Sequence, residues 1–348
     1  MAFSSTSLEE LTFDTTGDEV FGLPAGSTAD RPASPSNGNM RYNTDENTVE
    51  AYINGEWVQL SSTGYPPPFL GNRGVFAGGR TVNILDFVAI DTAGNCTDFG
   101  DLGSNCFDGG SLSDGSRGVF ALGNDGSFLN TIEYITFATT GNSLDFGDLT
   151  AGRSGLAGVS NGSRGAFGGG TTGSDSDVID YVTINTTGNA TDFGDLTVAR
   201  SSLASCSGGG RGVFAGGFSN VMDYITIDTT SNAVDFGDIS STNAFFCGAS
   251  DGDRGVFMGG FQSPSTRLNV IEYITIDTTG NATDFGDLTA GRSGVAGCAN
   301  DTRAICGGGF TSSDVNIIDF VTIQTTGNAT DFGDLTVARR DFTATSGD

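Results

Sequence analysis

From Arg73 onward apolar and polar positions alternate in short runs, and no run has the three-to-four spacing of a helix. One copy of the pattern begins "RGVFAGG", an apolar run stopped by glycines. "DYITID" follows and alternates with β-branched side chains, "ATDFGDL" alternates around a single Phe, and "RSSLASCS" is made of small residues. Each has the length and composition of a strand. The "TTGN" between the second and third supplies Gly and Asn, which tolerate the positive φ of a tight turn. The copies open at Arg73, Arg117, Arg164, Arg211, Arg254 and Arg303, with spacings of 44, 47, 47, 43 and 49 residues.

The unequal spacing has one source. From the opening Arg to the last Gly of its pair is always six positions, as in Arg73 to Gly79. From the acidic residue before the aromatic to the first Asp of "DFGD" is always twelve, and from that Asp to the next opening Arg nineteen. All variation falls in residues 80–85, 124–132, 171–179, 218–222, 261–271 and 310–318.

Four strands in a unit of about 45 residues match the blade of a β-propeller. The first copy lacks a small-residue strand before Arg73, and the last runs on into "RDFTATSGD". That C-terminal run is expected to lie beside Gly74–Gly79 and complete the first unit. The expected fold is all-β: a six-bladed propeller closed by its C-terminal strand over residues 71–348, small residues near the axis and the "DF" strand at the rim. "TTGNATDFGDLT" stands unchanged at 186–197, 278–289 and 325–336. It reads as a turn and a rim strand repeated because the architecture repeats.

The glycine pair, the acidic-aromatic strand, the aromatic rim strand and the following Arg ("DFGDLTVARS") resemble the kelch repeat. Kelch blades usually carry Trp where Phe99, Phe146, Phe193, Phe236, Phe285 and Phe332 stand here. Either ring can fill the gap between blades.

Residues 1–60 read differently. "NMRYNT", "TVEAYIN" and "EWVQL" are three short strand-like runs split by turn residues. Met40, Arg41, Tyr42, Asn43, Thr44, Glu50, Tyr52, Gly55 and Trp57 resemble a small β module of tailed-phage fibre and other virion proteins, marine cyanophages among them. Residues 61–70 are Pro-rich and read as a semi-rigid spacer.

Charge narrows the functional classes. The net charge is −27, and there is neither His nor Lys, so all 15 cations are Arg. Such a surface repels nucleic acid and anionic membranes, and suits a high-salt or divalent-rich medium. No apolar run is long enough for a spanning helix. "MAFSSTSLEELTFD" has neither the basic start nor the apolar core of a signal peptide. Without His or Lys there is no imidazole catalysis, no His-ligated metal, no Schiff base and no P-loop. The sialidase Asp-box has no copy, since "SDGSRGVF" lacks its spacing and Trp. No enzymatic activity is expected. The six cysteines form no CxxC pair and read as small core residues. Cofactors are expected to be none, with calcium the one candidate at "SDSD" (174–177), "SDGD" (250–253) and the paired Asp of each "DFGD"; turn chemistry, and solvation or Arg pairing of the rim Asp, explain the same residues.

The Arg present in every copy reads as a bridge to Asp side chains of the next blade. Diversity on a rigid frame marks a binding surface. Candidate contacts on the variable-loop face are therefore Phe128, Leu129, Asp175, Asp177, Gln262 and Arg267. The resemblance implies a virion structural protein: a tail fibre, spike or appendage subunit, assembled in the host cytoplasm. Residues 1–60 would bind other virion proteins, the loop face a host receptor or glycan, and the chain would form a homo-oligomer, a trimer being favoured. The alternatives are a capsid or neck decoration protein without receptor role, a cellular kelch-type adaptor, and a hydrolase.

Overall fold

A computed structural model describes residues 23–45, 48–53, 56–60 and 72–347. The chain divides into two units at Gly64/Tyr65. Both are built of strands, and among the described residues the one helical element is the 3-10 turn Thr28–Asp30. The expected spacer, 61–70, lies outside the described residues.

The N-terminal unit is a four-stranded sheet in the order Ala25–Gly26, Met40–Asn43, Thr48–Ile53, Glu56–Leu60. The first pair is parallel and the others antiparallel. Three residues of the sequence pattern meet on one face. Glu50, fully buried, accepts a two-pronged contact from Arg31 (3.2 and 2.7 Å) and a hydrogen bond from Asn43 Nδ2 (3.1 Å). Arg41 lies 3.5 Å from the same carboxylate and donates to the Ser27 carbonyl. The Arg31 hydrogen bonds hold the Glu50 carboxyl below its ordinary range against the cost of burial. Tyr52 and Trp57 pack edge to face at 5.5 Å. The pattern thus specifies a buried ion cluster and an aromatic pair, which a sheet too small for a large apolar core needs. Gly55 falls outside the described residues.

The second unit contains six four-stranded antiparallel sheets. Sheet 3 shows the plan: Ala157–Ser160, Arg164–Gly168, Val178–Thr183 and Thr191–Asp195, each paired with the next. These are the small-residue, arginine, aromatic and DFGD strands. Sheets 2, 4, 5 and 6 repeat the order from Gly110, Leu203, Cys247 and Ala296. Sheet 1 takes its small-residue strand, Thr343–Gly347, from the C-terminus. It pairs with Arg73–Ala77, Thr343 opposite Ala77 and Gly347 opposite Arg73. The apolar core lies between sheets: Ala157 and Val159 of sheet 3, for example, share a cluster with Phe214 and Ile225 of sheet 4.

Four sets of bonds join each sheet to the next; the first and third depend on residues that every copy keeps, the second on residues kept in four, and the fourth on backbone conformation. In the first set, each opening Arg donates to a carbonyl just past the next sheet's aromatic strand. The pairs are Arg73 with Phe137, Arg117 with Ile184, Arg164 with Ile227, Arg211 with Ile276, Arg254 with Ile323, and Arg303 back to Ile90. Each of these guanidiniums also sits over the Tyr or Phe of its own aromatic strand, at 4.4–4.8 Å. The expected bridge is therefore present, but to main-chain carbonyls rather than to Asp side chains.

The Asp side chains belong to the second set. Arg153, Arg200, Arg292 and Arg339 are buried and paired with Asp180, Asp223, Asp319 and Asp86 of the following sheet. The Thr three residues before each of these Arg donates to the same carboxylate. Two sheets depart together. Cys106 and Asn243 replace the Arg, Gly103 and Ser240 replace the Thr, and the acid becomes Glu133 or Glu272. The longer Glu reaches the main-chain N–H of Gly103 or Ser240 directly (both 3.0 Å).

The third set runs along the DFGD strands. The main-chain N–H of its second Asp donates to the "GN"-turn Asn of the next sheet: Asp101 to Asn142, Asp148 to Asn189, Asp195 to Asn232, Asp238 to Asn281, Asp287 to Asn328 and Asp334 to Asn95, all at 3.1–3.2 Å. The turn lies so close that a side chain on the DFGD glycine would collide with it. At Gly286, where φ is +152°, a Cβ would strike the Gly327 carbonyl. This stitching satisfies an otherwise open strand edge.

In the fourth set, Asp108, Gly155, Ser202, Phe245, Gly294 and Asp341 occupy one equivalent position, two residues past the Arg/Cys/Asn site. All have φ between 54° and 69°. The N–H of each donates to the carbonyl of the one before it: Gly155 to Asp108 (2.6 Å), Ser202 to Gly155, Phe245 to Ser202, Gly294 to Phe245, Asp341 to Gly294, and Asp108 to Asp341 (2.8 Å).

Candidate binding face

A Gly pair, or Leu122–Gly123 in sheet 2, ends each arginine strand and starts the variable segment, so all six segments emerge at the same end of their sheets, beside the connections that follow DFGD. The three nine-residue segments share one backbone form despite different sequences. Asn124, Thr171 and Phe310 each bridge to a residue four further on, Phe128, Asp175 and Asp314. The segment 218–222 is scarcely a loop. There the aromatic strand begins at Ser219 and pairs with an extended Val234–Asn243, leaving Phe218 half exposed against Phe245.

The six candidate residues divide accordingly. Phe128 stands out at 40% exposure. Leu129 turns inward and packs against the core between sheets 1 and 2. Asp175 and Asp177 are exposed, and Asp175 accepts from the Ser201 hydroxyl at 2.7 Å. Gln262 and Arg267 lie in a hairpin, Phe261–Gln262 against Thr266–Arg267, and both are partly buried. The face brings Arg267 to a cluster that sequence reading did not foresee. Its guanidinium sits 4.5 Å from the Phe310 ring, and Arg340 lies 4.1 Å from the same ring. Arg340 pairs with Asp314 (3.3 Å), and Arg80 pairs with Asp341 (2.6 Å) while lying over Phe107. Arg80, Arg267 and Arg340 are the second unit's only arginines outside the two repeated sets, and all three gather where sheets 5, 6 and 1 meet. Reading which Arg the repeat does not use would have picked out the three, though not their convergence.

Beside this cluster, burial pushes the Asp108 carboxyl up to about 7, and the charge of Asp341 adds to the shift against Arg80 and Arg340. The small-residue strands of all six sheets enclose two narrow cavities of about 100 and 120 Å³. Serine hydroxyls on their walls are already committed to carbonyls of the adjoining strand, as from Ser160 to Ser113 and from Ser250 to Ser207. Among the described residues no three acidic or Cys side chains converge as a cation site; Asp251, of "SDGD", instead caps its own turn at the N–H of Asp253 and Arg254. Asn95, Asn189, Asn281 and Asn328, which open the runs "NCT" and "NAT", use their side-chain oxygens to accept the edge hydrogen bonds described above.

No protein-family model and no curated protein matches this chain.

Proposed function

We propose that the chain is a virion structural protein of a tailed phage, a fibre, spike or appendage subunit. Its six sheets are the blades of one closed kelch-like propeller, and its loop face recognises a host receptor or another virion protein. One observation carries the recognition part. The polar residues repeated from copy to copy are spent on joining one sheet to the next, so chemical diversity is concentrated on the variable segments. The four cyclic sets of bonds support the closed ring, since each returns from sheet 6 to sheet 1. The virion assignment rests on the N-terminal pattern, whose Arg41, Asn43 and Glu50 build the core of a separate small sheet suited to anchoring or trimer formation.

The test is electron microscopy of phage particles decorated with antibody to this chain. Label on fibres or spikes is the expected result. Label confined to capsid or neck selects the decoration-protein alternative, and unlabelled particles overturn the virion reading. For the recognition face, the segment 261–271 is exchanged for the five-residue segment 218–222. The variant should keep strand circular dichroism and lose attachment to host cells; unchanged attachment contradicts this placement of the face.

A further inference from the structure

One junction between sheets differs chemically from the rest. The fourth residue of the arginine strand is Phe76, Phe120, Phe167, Phe214 or Phe257 in five sheets, and Cys306 in sheet 6. The residue it meets across the junction lies seven before the opening Arg of the preceding sheet, at or next to the start of its small-residue strand. Ala157 shares a core cluster with Phe214, Ala204 with Phe257, and Ala296 with Phe76. Between sheets 5 and 6 the corresponding pair is Cys247 and Cys306. Both members of the pair have changed together, and both have become thiols.

Their sulfurs lie 3.6 Å apart, with the Cys247 thiol donating toward Cys306. Cys247 sits over Gly297, which pairs directly with Cys306 and leaves room for the sulfur. This junction also lacks a link that the others have. Serine hydroxyls tie sheet 2 to 1, 3 to 2, 4 to 3, 5 to 4 and 1 to 6. In sheet 6 the equivalent positions are Gly297 and Ala299, which have no hydroxyl. Cys247 borders the cavity of about 120 Å³ between the small-residue strands. That is room for several water-sized molecules.

We propose that Cys247 and Cys306 are a disulfide-forming pair, and that hydrogen peroxide entering this cavity closes a covalent cross-link between sheets 5 and 6. A thiolate of the pair attacks one peroxide oxygen; the O–O bond breaks, hydroxide leaves, and the sulfur becomes a sulfenic acid. The second sulfur then attacks it. The S–S bond forms, the S–O bond breaks, and the departing hydroxide takes up the remaining proton. Two thiols lose two electrons, and one peroxide becomes two waters. The sulfurs must close by about 1.5 Å to reach bonding distance. The Cys247 hydrogen bond and the nearby Arg292 guanidinium hold the Cys306 thiol below its ordinary value, favouring the reactive thiolate. The cross-link does not depend on the virion reading.

The full-length chain, purified reduced, is exposed to hydrogen peroxide, quenched, unfolded, alkylated and digested. The expected result is a linked pair of peptides carrying Cys247 and Cys306, two fewer alkylated thiols in the intact mass, and reversal by dithiothreitol. Cys247→Ala should abolish the bridge. If that variant does not fold, the double variant Cys247→Ala with Cys306→Phe, which copies the pattern of three other junctions, serves as the unbridged control. Free, alkylatable Cys247 and Cys306 after peroxide treatment overturn the proposal, as does a bridge from Cys306 to Cys298 in their place.

Discussion

A single carboxyl among the six left-handed positions gives the clearest residue-scale prediction. Asp108 is raised from the ordinary 3.8 to about 7, first by burial and then by the charge of Asp341. The folded chain therefore holds its proton more tightly than the unfolded chain. Stability contributed by the protonated form is full below the ordinary range and is lost as pH rises toward 7. Asp108→Asn keeps the shape, and Asn tolerates the φ of 54° there. The melting temperature of the variant relative to wild type should rise between pH 4 and pH 7, then level off. A constant difference across that range contradicts the assignment. None of this was legible in "CFDGG", because the left-handed position and the approach of Asp341 come from opposite ends of the sequence.

Among the elements, strand identity and order were readable because alternation, glycine pairs and "TTGN" turns state them locally. The Pro-rich spacer lies outside the described residues. The connections were less legible, because their side chains are satisfied by a neighbouring sheet. The Arg of "DLTAGR" looks like any surface charge until it meets Asp180 in the interior. The sequence did hold a signal: Thr and Arg occur with Asp, whereas Gly or Ser with Cys or Asn occurs with Glu. Arg153→Ala leaves Asp180 buried and without its cation, which should cost about 3–5 kcal/mol in urea unfolding. The triple change Thr150→Ser, Arg153→Asn, Asp180→Glu transplants the arrangement of Ser240, Asn243 and Glu272, and should recover part of that loss. Equal destabilisation by both would show that the Glu arrangement is not a substitute for the ion pair.

At the scale of the whole second unit, each repeated set of bonds links one sheet to the next, with donors pointing forward in the first three sets and backward in the fourth, and its last member returns to the first sheet. The arrangement explains why "TTGNATDFGDLT" is copied without change: each copy must fit the next sheet's turn, and one sequence meets the same demand at several junctions. With a net charge of −27 the chain repels itself, so the joining of sheet to sheet rests on burial and on these directional bonds rather than on overall attraction. The six N–H groups of Asp108, Gly155, Ser202, Phe245, Gly294 and Asp341 report on closure directly, because the Asp108 bond to Asp341 is the one that an open arc of sheets could not make. Hydrogen exchange of the intact chain, resolved to single amides, should find Asp108 protected to the same level as the other five. Rapid exchange at Asp108 with protection of the remaining five would mean that the sheets do not close into a ring.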